Sequence, residues 1–516
     1  MNEIKKNSLV MFLAILVVGM IILQPELVYS QNVYQENSLQ GSSGVDSDYV
    51  GEVIAAIWLS LDEVMQLALS NSLDIQIAKF DTYIERASLG EAESIFDTFL
   101  KAEASYDLNK QMSPLVASAS REKEVFYSTG IEKKLSTGTT VILDIANSRN
   151  STNSNAVSNS PYNEASAGLS LTQELGRNFF GLADRSQVKV TKIDIENSEL
   201  TSLNDIEKSL FDVQVAYWGF VLRTKELMVA KDMLIQANKL YNVYKEKYSL
   251  GLAEKGDFLA VEALVYARKS EVEVAGLARE TEKNNLLFLI NNGYFSQNIK
   301  AEDTLVCVLE SVNLAKSLEG AINHRRDYKR IENDLKKSGI EIIVKKNALW
   351  PQIDLTATYS RNNISGDRRK SWENISQNSN DEVLVKVGFK FPLENREAKS
   401  VLEQESLSKQ KLLLELKKTE RDILREINNS VSKVNTMLKQ VELFQSTVEI
   451  HAEKLAEQVK RINYGRSNSD TLITYEQDLL NARLKLATYR YRYRVSLAEL
   501  ELAKNSLLDK YWTLPL

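Results

Sequence analysis

Apolar residues recur at intervals of three and four through three long stretches of this chain. In the first half, apolar or aromatic residues stand at strict sevens from Val213 to Tyr248, and in the second half one run extends from Ile427 to Ile462 and another from Leu472 to Leu507. Sustained sevens are typical of helices that pack side by side along their whole length. The pattern predicts four helices, at about Leu182 to Ser249, Leu393 to Asn463, Leu61 to Ile95 and Leu252 to Asn292.

The lengths of these predicted helices indicate how they pack. At 1.5 Å per residue, the first two are each on the order of 100 Å long, and the other two are roughly 50 and 60 Å. Placed end to end, two short helices match one long helix. We therefore expect, in each half, a long helix antiparallel to two short helices stacked coaxially, and a cylinder about 100 Å tall.

Between the helices, the apolar period changes from seven to two. Four segments alternate in this way: Leu100 to Leu108, Gly168 to Leu175, Ile353 to Tyr359 and Val383 to Phe391. Strands that cross an outer membrane are about 9–11 residues long and alternate similarly, although a soluble β-sandwich would show the same pattern. Two strands per half cannot close a barrel, and an open sheet edge does not occur in lipid. Membrane-spanning strands would therefore require the chain to form an oligomer.

The two halves are copies of one another. The pattern Leu61-x6-Ala68-x5-Asp74 returns 253 residues later, whereas Tyr248-x2-Gly251-x10-Glu262 is answered 214 residues later by Ile462-x2-Gly465-x10-Glu476. These separations of 253 and 214 differ by 39 residues, which indicates an insertion of that length in the first copy, between Tyr106 and Gly251.

The insertion contains a further candidate hairpin, with strands from Val125 to Leu135 and from Thr139 to Asn147. The alternation leaves open whether this hairpin joins the other strands. By the boundaries of the repeat, we divide the chain into a first structural repeat at 59–292, an equatorial connector at 293–312 and a second repeat at 313–512.

The N-terminus has the features of a signal peptide, which we assign to residues 1–30. Lys5 and Lys6 precede an apolar run from Leu9 to Leu23, which is shorter than the roughly 20 residues of a membrane-spanning helix. Residues 31–58 are mostly polar and small, and they are interpreted as a flexible leader.

Composition excludes several classes of function. The formal net charge is −6, so no basic face for nucleic acid is indicated. One cysteine, Cys307, and two histidines, His324 and His451, leave little material for a metal site or thiol catalysis. Since no nucleophile, metal or cofactor constellation is present in the sequence, we expect neither an enzyme nor a bound cofactor.

Several motifs together resemble the TolC-type outer-membrane efflux protein family. They are Leu61 to Leu69 for the family's opening helix, Phe96-Asp97 and Trp350-Pro351-Gln352 before the first strand of each copy, Leu171 to Leu175 for the strand exit into the long helix, and the two glycine turns. The resemblance covers about Leu59 to Trp512. Leu73 and Arg326 depart from it, because relatives usually carry proline there.

The resemblance implies a mainly α fold with transmembrane β structure: an α-barrel of long antiparallel helices below a trimeric β-barrel of twelve strands, about four per chain. It implies an export duct in the outer membrane whose helical tunnel crosses the periplasm. The duct would serve a tripartite efflux or type I secretion system, and a periplasmic adaptor and an inner-membrane pump of the RND, ABC or MFS type would open it.

The resemblance also suggests site residues at the helix tips. Adaptor contacts are expected at two turns, formed by Tyr248, Gly251, Leu252, Ala253, Tyr464, Gly465, Arg466 and Ser467. In relatives, acidic residues just past each turn gate the pore, and Asp257 matches that pattern. Thr471 and Thr474 hold the corresponding places in the second copy, and Asp470 stands one position early. A plain helical hairpin with solvated carboxylates at its helix starts would explain the same residues.

A second hypothesis comes from a different class of protein. The same long helices and short strands would fit a secreted periplasmic coiled-coil scaffold or tether without channel activity. Such a protein would be elongated and would need no detergent.

Overall fold

Two repeats of helix, strand, long helix and shorter helix follow one another along the chain. The computed structural model describes residues 57–110, 121–153, 157, 159–291, 299–306, 310–375, 380–463 and 469–511. All of these belong to one compact unit, Ala55–Leu516.

The first repeat contains five strands and four helices. In chain order they are β1 (Ile57–Leu59), α1 (Leu61–Asn71), α2 (Leu73–Glu93), β2 (Thr98–Asn109), β3 (Glu122–Lys134), β4 (Thr139–Thr152), β5 (Tyr162–Glu174), α3 (Leu182–Ser249) and α4 (Lys255–Leu289).

The second repeat has the same order without a counterpart of β3 and β4. Its elements, after the short strand β6 (Ile299–Ala301), are α5 (Leu314–His324), α6 (Arg326–Asn347), β7 (Gln352–Ser365), α7 (Arg368–Glu373), β8 (Asp381–Lys390), α8 (Arg396–Asn463), α9 (Ser469–Ala503) and α10 (Leu507–Tyr511). The two long helices, α3 and α8, each contain 68 residues, which confirms the heptad prediction.

The prediction of a single helix from Leu61 to Ile95 is wrong, because the chain breaks at Ser72 between α1 and α2. Ser72 has φ −57° and ψ 128°, and Arg325 breaks the second repeat between α5 and α6 with φ −60° and ψ 115°. This extended geometry is the one that a following proline imposes. Both breaks precede the positions where relatives usually carry proline, so the geometry persists here without that residue.

The long helices pack against the shorter ones as the helix lengths predicted. Helix α3 contacts α1, α2 and α4, and α8 contacts α5, α6 and α9, while α9 also packs on α3. The largest core lies around Tyr217, Trp218 and Phe220 of α3. Burial is deepest in the middle of the α8 seam, at Ile427, Val431, Val434, Leu438 and Val441, whereas Val459 near its end is 44% exposed in the single chain.

Six strands form one antiparallel sheet in the order β2-β3-β4-β5-β7-β8. The candidate hairpin of the insertion is therefore part of the sheet: β3 pairs with β2, and β4 pairs with β5. One chain thus contributes six strands to this sheet, whereas about four membrane strands per chain were expected. That expectation came from the family resemblance, which implies two strands in each repeat.

A separate parallel pair, β1 with β6, lies beside the core of the first repeat. The hydroxyl of Tyr217 donates its proton to Asp303 Oδ2 (2.7 Å) and lies 3.0 Å from the Leu59 carbonyl oxygen. The backbone N–H of Leu61 also donates to the Asp303 carboxylate (2.8 Å). Burial and the adjacent Asp303 raise the pKa of Tyr217 above its ordinary value, so the hydroxyl stays protonated. It fixes the start of α1 to α3.

No helix in the described ranges combines the length and the hydropathy needed to cross a lipid bilayer.

Candidate functional site

One face of the six-stranded sheet is apolar on every strand. The register aligns one row of apolar side chains across all six strands: Leu100, Ile131, Leu143, Leu169, Tyr359 and Val383. Members of this row are 39% to 72% exposed. Each strand has 10 to 14 residues, enough for the about 9–11 that an outer-membrane strand needs. An exposed apolar face of this extent is what contact with lipid requires.

The opposite face is polar. The adjacent row, one residue along each strand, consists of Lys101, Gly130, Asp144, Gly168, Ser360 and Glu382. Lys101 also forms an ion pair with Glu132 of β3 on this face. A sheet with one lipid-compatible face and one charged face has the pattern of a barrel wall around water.

The polar face continues into the helices through a cavity of about 820 Å³. Glu132, Lys134 and Thr140 line it from the sheet, and Glu85 of α2 and Asp194 of α3 line it from the helices. The water-compatible side of the sheet and the helical part of the molecule therefore border one common space.

The first tip is the turn between α3 and α4. Gly251 has φ +71°, its N–H donates to the Tyr248 carbonyl (3.0 Å), and the N–H of Leu252 donates to the Lys247 carbonyl (2.8 Å). These two bonds define a Schellman motif, in which the residue after the helix cap adopts a left-handed conformation that favours glycine. The predicted left-handed glycine cap is confirmed at this turn.

The surface of the first tip is apolar. Leu250 and Leu252 are 64% and 73% exposed, and the ring of Tyr248 stacks on Phe258 at 5.3 Å between ring centroids. The predicted contact residues Tyr248, Gly251 and Leu252 lie on this surface, and Ala253 beside them is half-buried. The tip thus presents two exposed leucines on a turn whose backbone is fixed by hydrogen bonds.

The predicted gate residues lie in the first turns of the two helices that follow the tips. Asp257 is in the first turn of α4 and is half-buried, and Asp470 is in the first turn of α9 and is exposed. Thr471 is half-buried, and the Thr474 hydroxyl donates to the Asp470 carbonyl (2.8 Å). The helix dipole favours carboxylates in the first turn of a helix, so these positions are explained with or without a role in gating.

The second tip falls outside the described residues. The predicted contacts Tyr464, Gly465, Arg466 and Ser467 all belong to that segment.

The outer membrane efflux protein family model matches residues 140–292 and 318–506, together about two thirds of the chain. The chain belongs to this family. The match starts at the beginning of β4, so β2 and β3 lie outside it. A search among curated proteins finds no significant match.

Solved structures of outer-membrane channels share the fold. The CmeC channel of Campylobacter jejuni is 17% identical with a TM-score of 0.64, covering 86% of this chain and 85% of that one. VceC of Vibrio cholerae is 15% identical with a TM-score of 0.65, covering 86% of this chain and 95% of that one. The open state of MtrE of Neisseria gonorrhoeae is 17% identical with a TM-score of 0.63, covering 87% and 89%.

Family membership establishes the broad function of the chain. It is an outer-membrane efflux channel with its helical tunnel in the periplasm, which favours the duct over the coiled-coil scaffold. The family is one of transport ducts, not of enzymes, and membership implies a trimer that works with adaptor and pump partners. The resemblance inferred from the motifs is confirmed.

A buried ion pair joins the two repeats near α10, and the motifs did not reveal it. Glu207 of α3 is fully buried and pairs with Arg326, the residue in the proline position. Its carboxylate also accepts hydrogen bonds from Asn505 Nδ2 (2.9 Å) and from the backbone N–H groups of Leu507 (2.7 Å) and Leu508 (3.2 Å). The departure from the family at Arg326 was the only signal of this network in the sequence.

A second contact between the repeats lies above the tips. Arg268 of α4 is 2% exposed, and its guanidinium donates to Gln477 of α9 (2.9 Å) and to Glu271 (2.8 Å). Burial raises the pKa of the neighbouring Glu476, against the opposing charge of Arg268. Glu476 corresponds to Glu262 in the duplicated pattern, so the sequence had already marked this position as one that both repeats share.

Proposed function

We propose that this channel is a homotrimer and the exit duct of a tripartite efflux or type I secretion system, with an inner-membrane pump of the RND, ABC or MFS type. The two-faced sheet supports the proposal most directly. Its edge strands β2 and β8 are open in a single chain, and an open edge is not tolerated in lipid, so neighbouring copies must close the wall.

Fractionation tests this proposal against the scaffold. A duct is expected in detergent extracts of the outer membrane, as a trimer that migrates faster before heating than its mass predicts. Recovery as a soluble periplasmic dimer would contradict it.

We propose that a periplasmic adaptor docks at the two tips, through Tyr248, Gly251, Leu252 and Ala253 in the first and through Tyr464, Gly465, Arg466 and Ser467 in the second. The exposed Leu250 and Leu252 support this, since exposed apolar side chains on a rigid turn are suited to a protein partner.

A photo-crosslinking amino acid at Leu252 tests adaptor docking. We expect it to capture the adaptor encoded with the pump, identified by mass spectrometry. The same amino acid at Phe288, which is 72% exposed at the far end of α4, is the matched control and should capture none. Equal capture at both sites would contradict docking at the tip.

We propose that Asp257, Asp470, Thr471 and Thr474 line the closed gate. A threefold ring of carboxylates in a narrow mouth would attract cations. Hydrogen bonds from these side chains to neighbouring helices would hold the mouth closed. The position of both carboxylates in the first helical turn above a tip supports this assignment.

Conductance of the closed trimer in planar bilayers tests the gate. Asp257→Ala and Asp470→Ala are each expected to raise ion leakage. The control is Asp205→Ala, which removes an exposed carboxylate from α3 that lies roughly 65 Å along the helix from the first tip at 1.5 Å per residue. Unchanged conductance in both gate variants would remove the assignment.

A further inference from the structure

The inserted hairpin, β3 and β4, has the same two faces as the strands around it. On the apolar face, Ile131 of β3 and Leu143 of β4 align with Leu100 of β2 and Leu169 of β5. On the polar face, Gly130 and Asp144 occupy the next row. A hairpin held in the periplasm or in the lumen would have water on both faces and no reason for this alternation. The pattern places the hairpin in the lipid-facing wall.

The hairpin also separates β2 from β5, the two strands of the first repeat that correspond to β7 and β8 of the second repeat. β2 and β5 are not neighbours in this sheet, because β3 and β4 are hydrogen-bonded between them over their full lengths, with 12 aligned residues from Thr98 to Asn109 on one side. Removing the hairpin from the wall would break two complete ladders. The backbone N–H and carbonyl groups of β2 and β5 would then need new hydrogen-bond partners, because leaving such groups unpaired in lipid costs several kcal/mol each.

A contact at one end of the sheet ties the hairpin to the second repeat. The guanidinium of Arg368 in α7 lies 5.5 Å from the ring centroid of Tyr127 on β3. The Asn363 side chain of β7 donates to the carbonyl of Ser371 (3.3 Å), which holds α7 against the same end of the wall. The inserted strands are thus integrated with strands of both repeats.

We propose that the trimer closes a barrel of eighteen strands, in place of the twelve that the family resemblance implies. This rests on the trimer of the proposed function. Three copies of a six-stranded sheet supply eighteen strands, and six is even, so β8 of one copy meets β2 of the next in antiparallel orientation. Both edge strands are exposed along nearly their whole length in the single chain, as such a seam requires.

The proposal predicts a wider opening in the outer membrane. With strands about 4.8 Å apart and tilted by about 40°, eighteen strands give a backbone diameter of about 36 Å and twelve give about 24 Å. Barrels of 16–18 strands enclose an aqueous channel. The mouth of this duct would then be about one and a half times as wide as that of a twelve-stranded barrel, because diameter grows roughly linearly with strand number.

Site-directed spin labelling tests the position of the hairpin in the full trimer in lipid nanodiscs. Cys307→Ser provides the background, and single cysteines replace Ile131, Leu143, Leu169 or Ala146. Leu169 is the matched reference on β5, and Ala146 is the control on the polar face of β4. The family model matches the segments that contain Leu143 and Leu169, whereas Ile131 lies outside the match. The readout is nitroxide accessibility to oxygen, which concentrates in lipid, and to a water-soluble nickel chelate.

We expect the labels at Ile131 and Leu143 to match the lipid accessibility of the Leu169 label, and the Ala146 label to be accessible to nickel. Two hairpin positions guard against one label disturbing the fold. Water accessibility at both Ile131 and Leu143 with lipid accessibility at Leu169 would overturn the eighteen-stranded barrel and leave the duct intact. Water accessibility at Leu169 as well would overturn the proposed duct itself.

Images of the same trimer viewed along its axis give an independent readout. We expect a barrel about 36 Å across, and a barrel about 24 Å across would overturn the proposal.

Discussion

Replacing Glu207 with alanine should lower the thermal stability of the channel, because the substitution removes four hydrogen bonds at once. The fully buried carboxylate accepts from Arg326, from Asn505 and from the N–H groups of Leu507 and Leu508. The last two N–H groups lie in the first turn of α10, where a helix has no carbonyl of its own to accept from them, so the carboxylate caps this helix. Glu207→Ala therefore leaves a buried guanidinium without a partner and α10 without its cap.

Breaking a buried ion pair by removing one partner costs about 3–5 kcal/mol, most of it from the charge that stays behind. That mechanism makes a further prediction. Glu207→Leu combined with Arg326→Leu removes both charges, so the double variant should be more stable than Glu207→Leu alone. The coupling between the two positions is expected to be on the order of 1–3 kcal/mol.

The assay is the temperature at which detergent-solubilised trimer melts, measured at one fixed scan rate because unfolding of such assemblies is often irreversible. The control is Glu199→Ala on the same helix. Glu199 forms an ion pair with Arg86 (2.7 Å) whose side chains are 33% and 40% exposed, and exposed pairs contribute about 0–1 kcal/mol. Glu207→Ala melting at the same temperature as the Glu199→Ala control would contradict a cost from the unpaired guanidinium. So would a double leucine variant whose loss of melting temperature equals the sum of the losses of its two single changes.

Three further predictions concern the tips and the acid stability of the fold. Gly251→Ala places a Cβ at φ +71°, so it should weaken the tip by about 1 kcal/mol and increase hydrogen exchange at residues 247–252, whereas Gly256→Ala in α4, where φ is ordinary, should not. Arg268→Met removes the bond to Gln477 between the repeats and should raise leakage of the closed trimer in planar bilayers; leakage equal to the parent's would argue against a role of this contact in closure. Burial opposes ionisation of Asp327, but the hydrogen bond and charge of Arg325 outweigh it and hold the pKa of Asp327 below its ordinary value. A depressed carboxyl pKa stabilises the fold above the unfolded value of about 3.9 and loses that contribution as pH falls through the folded value, so Asp327→Asn should melt at a temperature that depends less on pH below 4.

The helical part of the fold was predictable from sequence because its packing is periodic. Val213 and Phe220, seven residues apart, are both buried, and the predicted bounds Leu182 and Ser249 are those of α3. The breaks at Ser72 and Arg325 were not predicted, because the heptad pattern does not register a change in a single backbone angle.

The strand segments were predicted, but their number in one sheet was not. The alternation of apolar and polar residues predicts that the strand from Val125 to Leu135 has two different faces. It does not predict which strands pair with this one, because the hydrogen bonds between strands are made by backbone groups that all residues share. The count of four per chain came from the family's pattern. The structure pairs both inserted strands within the same sheet.

The buried networks between the repeats were beyond sequence reasoning for a different physical reason. Arg326 and Glu207 are 119 residues apart, and Asn505 is 298 residues from Glu207. No local period links such positions, and only the departure from proline at Arg326 marked one of them as unusual. The gate assignment at Asp257, Asp470, Thr471 and Thr474 stays a prediction.

Single-channel recording from the purified trimer in a planar lipid bilayer shows whether the protein forms a water-filled duct through a membrane. A duct that crosses the outer membrane predicts discrete conductance steps, larger in the Asp257→Ala variant than in the parent. If the protein inserts no conducting units, at concentrations and in lipids where a porin control inserts readily, it is not a duct across the outer membrane.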